Sequence, residues 1–200
     1  PPPAPPPPPP NRCVKLSRAG ADFSSCRNLR FADLRRAQLS KAKLDRADAS
    51  HARLDGADLT EATLHDVDLT GASLNGATLL RADLHGAELV GASLQHADLT
   101  EANLEAALLD RASFQASKMQ RAKLLLASAR NADFSRANLQ GAHFYEANLE
   151  GANFSGTDLR FADFTRAVIE QADFSGARQF EHAIFYHAIG EPFGTPSPIP

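Results

Sequence analysis

The chain has 200 residues, 43% of them apolar, with 21 Lys and Arg against 24 Asp and Glu and a formal net charge of -3. That length suits one domain with tails, and the charge balance does not suit a protein that grips nucleic acid through its phosphates. No apolar run approaches the ~18 residues of a membrane span, so neither membrane insertion nor direct nucleic-acid binding is expected.

Residues 1–12 come first, with nine prolines in the first ten positions. They read as a Pro-rich linker, an extended polyproline II spacer or else a ligand for an aromatic-lined groove. The start at Pro1 rather than Met is what a fragment or processed form would show, and a larger multidomain parent is expected. No signal peptide opens the chain, so the expected compartment is the cytoplasm. There Cys13 and Cys26 are expected as free buried thiols rather than one bridge. Residues 13–31 carry a weak version of the pattern that follows, with Ala21-Asp22-Phe23 out of phase with Leu29. They read as an irregular first coil that covers the N-terminal end.

Residues 32–176 have a period of five. From position 34 to 174 every fifth residue gives 29 positions; 25 are Leu or Phe, and Ala49, Met119, Ala129 and Ile169 are the apolar exceptions. Two residues earlier, 26 of 29 positions are Ala, and a mostly polar residue, often Asp or Asn, stands between. An α-helix turning ~100° per residue would scatter these Leu around its surface. A straight strand would send them to alternate faces. Only a chain that turns a corner once per unit returns every Ala and every Leu or Phe to the inside. Such a chain winds into a solenoid.

Units such as Ala82-Asp83-Leu84-His85-Gly86 and Ala152-Asn153-Phe154-Ser155-Gly156 resemble the pentapeptide repeat family. The resemblance implies an all-β fold, a right-handed quadrilateral β-helix with four pentapeptides per coil. Residues twenty apart then become vertical neighbours. One column reads Leu34, Leu54, Leu74, Leu94, Phe114, Phe134, Phe154, Phe174, and the facing column also changes to Phe at Phe144 and Phe164. A Phe ladder is expected in the last coils.

After residue 176 the register slips, because the step from Ala177 to Ala183 is six. Residues 177–190 gather Phe180, Ile184, Phe185, Tyr186 and Ile189. They are expected to form a C-terminal cap or a homodimer interface, since an open solenoid edge adds strands from neighbours. Residues 191–200, with four prolines, read as an extended or disordered Pro-rich tail.

No HExxH, Cys-His cluster of finger spacing, Gly-x-Ser-x-Gly elbow or phosphate loop occurs, so no enzyme, cofactor or metal is expected. His65 and His85 are twenty apart, with Asp45, Asp66 and Glu105 near them. A solvated polar ladder is the plain reading of this group and a surface zinc or nickel ion the sharper one. Charge is more informative. Residues 1–54 hold 11 Lys or Arg and 4 acids, while residues 55–110 hold 11 acids and only Arg81. Residues 111–130 are net +5 and residues 131–200 net -5. A solenoid turns such blocks into bands, and the acidic band is a candidate dock for a basic partner.

The candidate protein-binding residues are Asp58, Glu61, Asp98 and Glu101, expected to stand outward and unpaired on one wall. Leu80, Val90, Leu125, Leu126, Tyr145 and Phe161 are expected to project outward as apolar contacts. The expected function is a non-enzymatic scaffold that presents rigid walls to a protein partner of unstated identity. The alternative follows from the resemblance alone. Some bacterial pentapeptide repeat proteins mimic DNA, bind DNA gyrase and confer quinolone resistance.

Overall fold

The computed structural model describes residue 13 and residues 18–194; the linker at 1–12 and the tail from 195 lie outside the described residues. Each five-residue unit closes on a tight turn. In the first regular one, the Ala37 N–H donates to the Leu34 carbonyl at 3.1 Å, and Arg36 takes φ 57°. A positive φ at the third residue of a turn marks type II. Every fifth residue from Phe31 to Gly176 has this left-handed φ, most of them without being glycine.

Four turns complete one circuit, and the circuits stack in parallel register. Gln38, Asp58, Thr78, Asp98, Lys118, Asn138, Asp158 and Arg178 bridge one another in a single column, twenty residues per step. A wall is so short that it contributes one bridging residue per coil. In chain order the first wall centres inward on Leu34, the second on Leu39, the third on Leu44 and the fourth on Ala49. Walls one and three face each other, as do two and four.

The step lengthens to 21 residues near both ends, at Asp22 to Lys43 and again at Asp163 to Ile184 and Val168 to Ile189. At the C-terminal end a short 3-10 turn, Phe180–His182, takes up the added residue. The step returns to twenty at Asp173 to Phe193. Coil pairing therefore runs three residues into the stretch read as tail, and the Phe193 N–H donates to Ala172 at 2.7 Å.

The interior is filled. From Leu84 to Phe174 every inward centre is at most 1% exposed. Phe114, Phe134, Phe154 and Phe174 stack at 5.0 Å between ring centroids, and Phe144 meets Phe154 edge-on across the axis at 5.8 Å. Phe185 extends the facing ladder above Phe164 at 4.9 Å, and Phe180 stacks on Phe185. Parallel stacking along a wall and edge contacts across the axis are both favourable aromatic geometries.

At the other end Cys13 and Cys26 form a disulfide, with Cα atoms 5.6 Å apart. This corrects the expectation of free thiols. Cys13 is buried with Ala21, Phe23 and Leu29 at the base of the core, so folding brings the two sulfurs to bonding range. Chain spacing alone does not reveal that proximity.

Candidate functional site

The polar residue of each unit has a specific task, visible from an account of five amides. In Ala57-Asp58-Leu59-Thr60-Glu61, Ala57 N–H closes the turn to Leu54 O at 2.9 Å. Asp58 N–H reaches down to Ala37 O, while Leu59 and Glu61 N–H reach up to Thr78 O and Leu80 O, at 2.7–2.9 Å. The Thr60 N–H has no backbone partner and donates to Asp58 Oδ1 at 3.0 Å. A backbone donor without a partner is costly, and Asp and Asn side chains reach an amide two residues on. Where Thr63, Ser73 or Ser128 replaces the Asp or Asn, the acceptor comes from the coil below. Asp45 takes the His65 N–H at 2.9 Å, Asp55 the Asn75 N–H at 3.2 Å, and Asp110 the Arg130 N–H at 3.0 Å.

The structure places the four sequence-chosen acids together but not unpaired. Asp58 and Asp98 share one column of the second wall, with Thr78 between them. Asp98 accepts from Thr100 N–H at 3.1 Å and Oγ1 at 2.6 Å, with Lys118 Nζ 3.5 Å away. Burial pushes its carboxyl up, but the Thr100 hydrogen bonds and the Lys118 charge outweigh this and hold it below the usual carboxylate range. Glu61 and Glu101 lie on the edge between the second and third walls. There Lys41, Glu61, Arg81, Glu101 and Arg121 form a ladder of alternating sign, with pairs at 3.5 Å (Lys41 to Glu61), 2.8 Å (Arg81 to Glu101) and 2.6 Å (Arg121 to Glu101). The Arg81 hydrogen bond, helped by the Arg121 charge, lowers Glu101. The expectation of unpaired acids is therefore corrected: vertical stacking at coil spacing brings opposite charges into contact.

His65 does not open a metal site with His85. Its Nδ1 lies 3.2 Å from Asp45 Oδ1 and its Nε2 2.8 Å from Asp83 Oδ2, so carboxylates of the coils below and above engage both nitrogens. The Asp83 hydrogen bond raises the imidazole above the ordinary histidine range. Among the described residues no group of three His, Cys, Asp or Glu is placed to hold a metal ion.

The apolar candidates divide. Leu126 and Phe161 are exposed, at 54% and 61%. Leu80, Val90, Leu125 and Tyr145 are half-buried against their neighbours on the walls. Tyr145 lies under the Arg166 guanidinium at 5.9 Å and accepts a hydrogen bond from it at 3.0 Å. Leu108, 43% exposed, was not foreseen. Its signal is a Leu in the polar slot between Ala107 and Leu109. The same slot holds Ile184, Ile189 and Phe193, which with Tyr186 form an exposed apolar rim on the last coil. Phe31 is also exposed and stacks on His51 at 5.3 Å.

No helix among the described residues is long and apolar enough to cross a membrane. The model of the pentapeptide repeats family matches at residues 28–60, 68–105, 87–125, 107–144 and 142–178, in eight copies. No catalytic family is indicated, and no curated protein matches. Among solved structures, HetL of the cyanobacterium Nostoc sp. strain PCC 7120, a pentapeptide repeat protein involved in heterocyst differentiation regulation, is 32% identical with a TM-score of 0.54. The match covers 84% of this chain and 86% of that one. QnrB1, a plasmid-mediated fluoroquinolone resistance protein, is 14% identical with a TM-score of 0.41, over 80% of this chain and 87% of that one. The coil geometry is the right-handed quadrilateral β-helix of HetL. With the family pattern matched over most of its length, this chain belongs to the pentapeptide repeat family.

Proposed function

We propose that this chain is a non-enzymatic scaffold whose rigid outer walls dock a protein. The observation that carries the reading is the division of labour between inside and outside. Every inward centre from Leu84 to Phe174 is consumed by a filled core, while outward side chains stand at fixed heights on a backbone held coil to coil. A filled interior offers no enclosed cleft for chemistry; a fixed outer lattice suits recognition, because little side-chain and backbone order is lost on docking. Candidate contacts are Asp58, Glu61, Asp98 and Glu101 with Leu80 on the second wall and its edge, and Tyr145 and Phe161 above them. The rim of Ile184, Tyr186, Ile189 and Phe193 is the candidate contact for a second copy, which light scattering of the purified chain reads directly.

Photo-crosslinking residues introduced singly at Glu61, Leu80, Leu126, Tyr145 and Phe161 test the reading in the source cell. Capture of one protein from adjacent positions of one wall is expected. Failure to capture any protein from all five would overturn the scaffold reading. The gyrase-binding DNA mimic is not favoured. Mimicry needs an unbroken acidic row, whereas Arg81 and Arg121 alternate with the acids of the ladder edge and pair with them.

A further inference from the structure

Of the eleven acids between residues 55 and 110, nine are engaged through their carboxylates by turn amides, hydroxyls or cations. Of these eleven, only Glu88 and Glu105 have carboxylates with no hydrogen bond or ion pair. Their positions coincide with the apolar anomalies of the outer surface. Glu88 bridges directly to Leu108 one coil above it on the fourth wall. Glu105 stands on the third wall directly below Leu125, whose carbonyl accepts the Ala106 N–H at 2.9 Å.

The edge between these two walls completes the surface. Its corner residues run Asp66, Gly86, Ala106, Leu126, so two small residues make a low saddle between the free acids and the exposed leucine. Leu126 in turn sits below Tyr145, its N–H donating to the Tyr145 carbonyl at 2.9 Å. Apolar side chains therefore occupy three successive coils along one edge, with free carboxylates at the lower end. The same edge carries Arg46 below and Arg166 above, paired with Asp66 at 3.7 Å and Glu146 at 3.1 Å. Arg81, the one Lys or Arg between residues 55 and 110, lies on the far edge of the third wall and is paired with Glu101. Arg130 is held by Asp110 at 2.8 Å.

We infer that this edge, formed by Glu88, Glu105, Leu108, Leu125 and Leu126, docks a basic amphipathic helix of a partner protein. The inference rests on the scaffold reading and names its surface and its partner class. Coil spacing of ~4.8 Å matches the ~4.5–6 Å rise between residues three or four apart on a helix. A helix laid along the edge thus sets one apolar side chain on each coil, in the helix-in-groove manner. Its Lys or Arg residues meet Glu88 and Glu105, where complementary charge selects orientation and speeds encounter. An anionic membrane is the wrong partner for the same edge, since its surface charge repels the acids.

The test uses the full chain and a labelled 14-residue peptide of Leu and Lys with Leu at helical i, i+3, i+4 spacing, followed by fluorescence anisotropy at low and high salt. Binding that weakens with salt is expected. Glu88→Lys combined with Glu105→Lys should weaken it about tenfold or more, as should Leu126→Asp. Glu181→Lys combined with Glu191→Lys, which alters net charge equally on the last coil, should change it by less than about twofold. Circular dichroism melts confirm that each variant is folded; Leu126 is exposed, so its replacement spares the core. No binding of the peptide overturns the inference, and so does equal weakening by the two charge reversals. Equally tight binding of an all-Lys peptide also overturns it, by removing the role of the leucines. If the peptide fails while crosslinks capture a protein elsewhere, only this surface is wrong. If no wall captures anything, the scaffold reading falls.

Discussion

Ser117 Oγ is the one buried side-chain polar atom among the described residues with no hydrogen-bond partner. Thr157 occupies the same inward slot two coils higher and donates its hydroxyl to Phe154 O at 2.6 Å. A buried hydroxyl left unpaired costs about 1–3 kcal/mol. Ser117→Ala should therefore raise stability by about 1 kcal/mol, whereas Thr157→Ala should lower it; paired denaturant melts compare them. Asp98 offers a second contrast at this scale. Asp98→Asn keeps an oxygen for the Thr100 N–H and should be close to neutral. Asp98→Ala leaves that amide without its acceptor and should cost about 1 kcal/mol, read by the same melts. His65 adds a pH dependence. Its folded pKa is raised by Asp83 first, with Asp45 and Asp66 adding charge, so its contribution is full below the unfolded histidine value. That contribution is lost as pH rises through the folded pKa. Asp83→Asn should move the His65 titration, followed by NMR, back toward the ordinary value.

At the scale of the turn, corner glycines are not equivalent. Gly91 at φ 65° has open space where a side chain would go, so Gly91→Ala meets only the left-handed backbone penalty, ~1–2 kcal/mol. Gly190 at φ 112° has the Glu170 backbone nitrogen 2.6 Å from where a Cβ would lie. Backbone cannot swing aside as a side chain can. Gly190→Ala should therefore destabilise by clearly more than Gly91→Ala and loosen the last coil first, which hydrogen exchange of Ile184 to Phe193 would show. The turn itself was legible in the sequence, because a period of five is incompatible with a helix or a straight strand. The end corrections were not. Whether residues 191–193 join a coil depends on how Phe180–His182 absorbs an extra residue, and local composition with a nearby proline hides that.

For the whole molecule, inward and outward positions should differ sharply in tolerance. Leu99 is fully buried and Leu80 half-buried on the second wall. Leu99→Asp places a carboxylate in the core at a cost of several kcal/mol, and Leu80→Asp should cost much less; equal loss in thermal melts would refute the register. The columns, and the meeting of Asp58 with Asp98 and Glu61 with Glu101, follow from twenty residues per coil. What the sequence concealed was occupancy. A carboxylate reads as free charge until its neighbours one coil away are known, and here Lys41, Arg81, Thr100 and Arg121 already use most of that charge. The disulfide was hidden for a similar reason, since the closeness of Cys13 and Cys26 is a property of the folded base.

The amide of the fourth residue of a unit has one more consequence. Asn103, Asn138, Asn148 and Asn153 accept it through a side-chain oxygen as the aspartates do. Exchanging nitrogen for oxygen in such a side chain adds a full negative charge and leaves the accepting atom in place. The rod is thus a frame with rewritable lettering, on which the electrical pattern can be edited one atom at a time at Asn138, Asn148 and Asn153, while at Asn103 the exchange would also remove the hydrogen bond to Asp83 at 2.9 Å.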